Sequence, residues 1–206
     1  MNFFPGKRMN NMKTKRVWKN IEYTGLEIAH IERGEAGIKV CSTVMTLENH
    51  SPTCIEYTLR LNQNWEVENL EVSKKGQDGG LFLTVDKAGK WFLKDGTNIP
   101  DLTEAVDVDL SCTPLTNSLP IKRLNWEQRV EPALIDVVYI DHENLTYKKV
   151  KQSYKRIHKR EDTQTFHYKS GQFETVFTVD DQGFVLAYPT YFNQVYPHQT
   201  REEDHQ

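Results

Sequence analysis

Asp107-Val108-Asp109-Leu110-Ser111-Cys112-Thr113-Pro114-Leu115-Thr116-Asn117-Ser118-Leu119-Pro120-Ile121-Lys122-Arg123-Leu124 is the stretch on which the fold of this chain turns. It packs two prolines, a cluster of small hydroxyl and amide side chains and a Lys-Arg pair beside apolar residues. Thr113-Pro114 has the form of a helix start, a capping hydroxyl followed by proline at the first helical position. Pro120 limits an unbroken helix, because it lacks an amide donor and crowds the preceding turn. One or two short helical turns are therefore expected here, entered from a strand over Ala105 to Leu110.

On either side, everything else reads as strands and tight turns. Leu26 to Arg33 and Ile38 to Leu47 flank Gly34-Glu35-Ala36-Gly37, a hairpin signal. Thr53 to Leu61 alternates, with Ile55, Tyr57, Leu59 and Leu61 on one face and Glu56, Thr58 and Arg60 on the other, as a half-buried strand does. Further strands are expected from Trp65 to Val72, Leu81 to Val85 and Lys90 to Leu93. Beyond the central segment they follow at Leu134 to Ile140, Leu145 to Tyr154, Thr165 to Lys169, Phe173 to Val179 and Phe184 to Tyr188. No long window carries helical periodicity. The fold class is mainly β: an antiparallel β-barrel or half-barrels wrapped around a short central helix.

An internal echo supports two halves. Leu83-Thr84-Val85-Asp86-Lys87-Ala88-Gly89 matches Phe177-Thr178-Val179-Asp180-Asp181-Gln182-Gly183, and each is followed by an aromatic-rich strand. Asp-x-x-Gly is a good turn on its own account. The flanking Thr-Val and the downstream aromatics extend the match and point to duplication of a half-barrel.

With 206 residues, one sizeable domain is expected. Residues 1–15 read as a disordered leader in which Met9 or Met12 serves equally well as a start, residues 16–197 as a single β-barrel-like domain, and residues 198–206 as a flexible tail. A net charge of −3 argues against a nucleic-acid partner. The odd set Cys41, Cys54 and Cys112 argues against a disulfide framework and fits a reducing, cytoplasmic setting. No apolar run approaches the length of a membrane-spanning helix.

Catalytic signatures are weak. Asp107 and Asp109 share a strand face and offer paired carboxylates for acid–base work or a cation; the plainer reading has one of them capping the turn at Ser111 to Thr113 or pairing with Arg123. The seven histidines show no zinc-like spacing, so no metal is assigned, and no phosphate-cradling glycine loop calls for a cofactor. Lys148, Lys149, Lys151, Lys155, Arg156, Lys159 and Arg160 form a basic run that reads first as a solvated strand edge. Its sharper reading is a surface for transient contact with anionic lipid headgroups.

The run from Asp109 to Leu124 resembles the putative glycolipid-binding family of bacterial proteins, which carries a similar Asp-Leu-x-x-Thr-Pro-x-Thr-Asn-x-Leu-Pro-Ile-x-Arg-Leu stretch. Supporting matches are the Trp65 strand, the turn from Asp86 to Trp91, and Val179 to Tyr188 with Pro189. The resemblance implies a β-barrel-like sheet around a central helix, similar to the lipoprotein-localisation factors that carry acyl chains. It further implies a non-catalytic carrier for a glycolipid or other amphiphile. On this reading Asp109, Thr113, Thr116, Asn117, Leu119, Ile121, Arg123, Trp65, Trp91 and Tyr188 are the candidate ligand-binding residues. Two other readings stay open: an enzyme acting on a glycan or acyl substrate in the same pocket, and a structural scaffold whose motif merely locks the helix in place.

Overall fold

The computed structural model describes residues 12–48 and 50–197. Alternating apolar residues joined by turn-forming residues produce successive hairpins. The first eight strands are β1 (Met12–Asn20), β2 (Thr24–Gly34), β3 (Gly37–Glu48), β4 (Ser51–Leu61), β5 (Val67–Lys74), β6 (Leu81–Val85), β7 (Trp91–Leu93) and β8 (Asn98–Ile99). Then come β9 (Asp107–Leu110), a 3-10 turn (Leu115–Asn117) and the short helix α1 (Ser118–Arg123). The remainder is β10 (Ala133–Ile140), β11 (Tyr147–Lys159), β12 (Thr163–Ser170), β13 (Phe173–Asp180), β14 (Val185–Tyr188) and β15 (Phe192–Tyr196).

These strands form one sheet in the order β8-β7-β6-β5-β4-β3-β2-β1-β15-β14-β13-β12-β11-β10-β9. It does not close, so the architecture is that of half-barrels rather than a full barrel. β1 and β15 meet antiparallel in the middle of the sheet. One pair departs from the expected antiparallel pattern: β9 runs parallel to β10. The physical reason is the central segment itself. It supplies the long crossover that brings the chain back in its original direction, which a tight turn cannot do.

Two expectations at the ends change. β1 begins at Met12, inside the stretch read as leader, because Met12 to Lys15 pair in register with Arg33 to His30 and Lys13 forms an ion pair with Glu32 at 2.7 Å. β15 was not foreseen; its short, mixed sequence gains its order from pairing with β1 and β14. The rest of the expected leader, and the expected tail, lie outside the described residues.

The echo holds at the level of the hairpin. Asp86 N–H donates to the Lys90 carbonyl (3.0 Å) and Gly89 N–H to the Asp86 carbonyl (3.0 Å); Asp180 and Phe184 (2.8 Å) and Gly183 and Asp180 (3.0 Å) repeat the pattern. Gly89 and Gly183 take φ of 73° and 82°, the left-handed region that glycine enters most readily. The residue before each aspartate pairs with the residue six further on, Val85 with Trp91 and Val179 with Val185.

The core divides around the central segment. One cluster, which includes Leu59, Leu61, Leu70, Leu83, Leu115 and Leu119, lies mostly under β2–β7. The other, which includes Trp126, Tyr154, Phe166, Phe177 and Ile121, lies under β11–β15. The helical stretch sits between them, with Leu115 and Leu119 fully buried.

Candidate functional site

Thr113 starts the helical stretch as its sequence predicts: its hydroxyl oxygen accepts the Leu115 N–H at 3.0 Å. The same hydroxyl donates to Glu27 Oε2 at 2.6 Å. Glu27 is a buried carboxylate on β2 that also accepts from Tyr57 (2.6 Å) and Ser42 (2.8 Å). Burial raises its pKa, and the three hydroxyl bonds partly oppose that rise. Glu27 therefore fastens the first half of the sheet to the central segment.

A second attachment lies at the other end of the motif. Arg123 Nη2 meets Asp107 Oδ2 at 2.6 Å, with Asp107 almost fully buried. A third runs through the polar face. Asn117 donates to Tyr154 (3.2 Å), Tyr154 to Gln152 (2.9 Å) and Gln152 to Asp109 (2.7 Å), while Thr116 donates to Asp109 from the other side (3.2 Å) and accepts the Leu110 N–H (3.3 Å). Burial raises the pKa of Asp109, with Gln152 and Thr116 opposing. Asp107 and Asp109 thus have separate sets of partners instead of forming a carboxylate pair.

Beside this polar network lies a pocket of about 700 Å³. Its floor is Asp109, Thr113 and Asn117, and its wall is aromatic: Tyr139, Tyr168, Phe173, Tyr188, Tyr191 and Phe192. Tyr188 is the hub of that wall, with ring centroids 5.4 Å from Phe177, 5.7 Å from Tyr191 and 6.4 Å from Tyr168. Burial pushes the hydroxyls of Tyr168 and Tyr188 well above the usual tyrosine range, so both stay protonated donors. Lys148 and Lys151 stand at the rim, Lys151 bonded to Asp136 at 3.0 Å.

Two comparisons place the chain. The profile of the family described as putative glycolipid-binding matches residues 15–194. The chain belongs to this family. A crystal structure of a DUF1089-family protein from Pseudomonas aeruginosa is similar in fold, with a TM-score of 0.70, 24% identity, and coverage of 94% of this chain and 99% of that one. No curated protein matches the chain.

Within this glycolipid-binding family chain the ten expected site residues do not gather in one place. Asp109, Thr113, Asn117 and Tyr188 line the aromatic pocket. Thr116 supports Asp109 from behind, and Arg123 is taken up by Asp107. Leu119 and Trp91 lie fully in the core, Trp91 with its indole N–H on the Ala105 carbonyl at 3.0 Å. Trp65 and Ile121 line a different cleft, of about 640 Å³. Glu27, Ser42, Gln152 and Tyr154 were not foreseen. Strand parity carries the missing signal: Glu27 shares its face with Ala29 and Ile31, and Ser42 with Val40 and Val44, all buried.

The basic run does not form one patch. Besides Lys151, Arg156 and Lys159 both meet Glu127, at 2.9 and 2.8 Å, and Lys149 donates to the Thr103 carbonyl. Among the histidines, His142 comes close to two carboxylates: Glu48, His142 and Glu143 each place a ligand-type atom within 4.8 Å of the others. Lys74 and Lys75 line the same recess and supply opposite charge there. No helix among the described residues is long and apolar enough to cross a membrane.

Proposed function

We propose that the protein is a non-catalytic carrier that holds a glycolipid or similar amphiphile in the aromatic pocket beside the central segment. The observation that carries this reading is the union of a six-ring wall and a polar floor in a cavity of about 700 Å³, within the ~300–1,000 Å³ usual for small-molecule sites. Rings offer broad apolar area at little conformational cost and suit an acyl chain or the apolar face of a sugar. Asp109 receives three donors, the Tyr168 hydroxyl at a long 3.5 Å. A carboxylate offers about four acceptor positions, which leaves room for one ligand hydroxyl.

The motif and the pocket divide the work. Thr113, Thr116, Asn117 and Arg123 chiefly hold the helical stretch in the sheet, and ligand contact falls mainly to Tyr168, Phe173, Tyr188 and Tyr191. A larger groove of about 930 Å³ lies on the other half of the sheet near Ile21, Met45 and Leu47, but it lacks such a ring wall and lies away from the motif. Membership of a family named for glycolipid binding supports the choice of ligand class.

Native mass spectrometry of the purified protein, followed by titration with a glycolipid panel, tests the reading. A bound amphiphile lost in Tyr188→Ala, with the fold intact by circular dichroism, is the expected result. A protein that takes up no member of the panel and shows no shift in Tm overturns it.

A further inference from the structure

On the far side of the central segment, the second cleft has a different chemistry. Three cations face it: Arg16 from β1, Arg33 from the end of β2, and Lys122 from α1. Lys122 Nζ lies 3.7 Å from the centroid of Phe184 and 4.3 Å from that of Trp65, and Arg16 Cζ lies 4.4 Å from Phe184. Two cations thus share one ring, an arrangement that cation–π attraction only partly offsets against their mutual repulsion.

Their counter-charges are incomplete. Asp180 meets Arg16 Nη1 at 2.7 Å, Gln194 and Gln182 accept from its Nη atoms at 3.1 and 3.2 Å, and Asp181 is the carboxylate among the residues lining the cleft. Arg16 is 4% exposed, and its Nε is a buried donor with no hydrogen-bond partner. That donor is closed off from the cleft, so Arg16 acts on it through its charge. Lys122 gives one bond to the Gln182 carbonyl, and an ammonium has three donors. Trp65 is held at φ +67°, a left-handed conformation that a bulky non-glycine residue rarely adopts. That strained backbone carries the ring that floors the cation site.

We propose that this cleft binds a phosphate-type oxyanion, held by Lys122 and Arg33 against the Trp65–Phe184 pair, with the buried Arg16 guanidinium adding positive charge behind them. An oxyanion supplies acceptors to the unused donors and relieves the repulsion among the three cations. Burial, with Arg16 and Arg33 adding to it, already lowers the Lys122 ammonium to about 8, against the opposing pull of Asp180 and Asp181. A bound anion reverses that direction. The chemistry is shared by free phosphate and by the phosphate of a lipid headgroup.

The test titrates the full chain with inorganic phosphate at low ionic strength, following tryptophan fluorescence and Tm. A parallel arm measures flotation with phosphatidylglycerol vesicles against phosphatidylcholine vesicles. Saturable phosphate binding is expected in the wild type and in Lys155→Gln, an exposed charge-loss control. It should weaken at least tenfold in Lys122→Met and Arg33→Gln. Binding to phosphatidylglycerol vesicles alone, lost in the same two variants, supports the proposal with a headgroup as the source. If Lys122→Met does not fold, Arg33→Gln, altered at an exposed side chain, decides. Equal binding by the variants, or no response of the wild type to either probe, overturns the proposal.

Discussion

Beneath β2–β7 the core is built largely from aliphatic side chains such as Val40, Leu59, Leu70 and Leu83; beneath β11–β15 it is built from rings, among them Tyr154, Phe166, Phe177 and Tyr188. The difference teaches where a pocket can form. Branched aliphatic residues interdigitate and fill the space against Leu115 and Leu119. Flat rings in stacked and edge-on pairs keep their faces apart and carry polar tips that need partners. The aromatic half accordingly surrounds the 700 Å³ pocket and the hydrogen-bond chain from Asn117 to Asp109.

The two turns that look alike should respond most differently to mutation. Asp180 is buried and paired with Arg16, which is itself buried, whereas Asp86 serves an exposed turn. Asp180→Ala strands a buried guanidinium and should lower stability by ~3–5 kcal/mol. Asp86→Ala loses only local turn bonds, and urea unfolding should place it within ~1 kcal/mol of the wild type. Equal losses would mean that the halves do not differ as described.

Next in size, Leu119→Ala opens a cavity in the packed half and should cost ~2–5 kcal/mol. Phe173→Ala, at the rim of the aromatic pocket and 37% exposed, should change Tm little while weakening amphiphile binding. Smaller in stability than Leu119→Ala, Thr113→Val leaves Glu27 Oε2 and the Leu115 N–H without their bonds, an expected loss of ~1–3 kcal/mol in chemical denaturation.

The smallest effect concerns pH. The folded-state pKa of Lys122 lies at about 8, below its ordinary 10.5. Between those values the unfolded chain binds more protons, so stability contributed through this group rises with pH, and the penalty for burying its charge is fully present only below about 8. From pH 8 to 9 the gain should be on the order of 1 kcal/mol for the wild type relative to Lys122→Met. A flat difference between the two proteins would place Lys122 in water instead of on Trp65 and Phe184.

The hairpins were legible because alternation and turn chemistry are local. Ile55, Tyr57, Leu59 and Leu61 all turn inward as their spacing predicts. The helical start at Thr113 was legible for the same reason. The parallel pairing of β9 was not, since it depends on where a long crossover lands. Nor was Met12 to Lys15, where one exposed methionine among polar side chains makes no alternation and order comes from β2. The site was half legible. Asp109, Asn117 and Tyr188, expected at one site, line one pocket, but Trp65 and Ile121 line the other cleft with Lys122. Their separation follows from the helical stretch itself, which presents Asn117 toward one cavity and Ile121 toward the other.

The seam between β1 and β15 has a consequence for the order of assembly. Residues as far apart in sequence as Lys19 and Asn193 pair at the middle of the sheet, so the centre of the molecule is its least local part. During synthesis β15 leaves the ribosome after every other described strand. Until then the nascent chain holds two sheets, each with an inner edge of unpaired amides, in the state most open to pairing with a neighbour. Slow, non-local closure of that seam is the expected final step of folding.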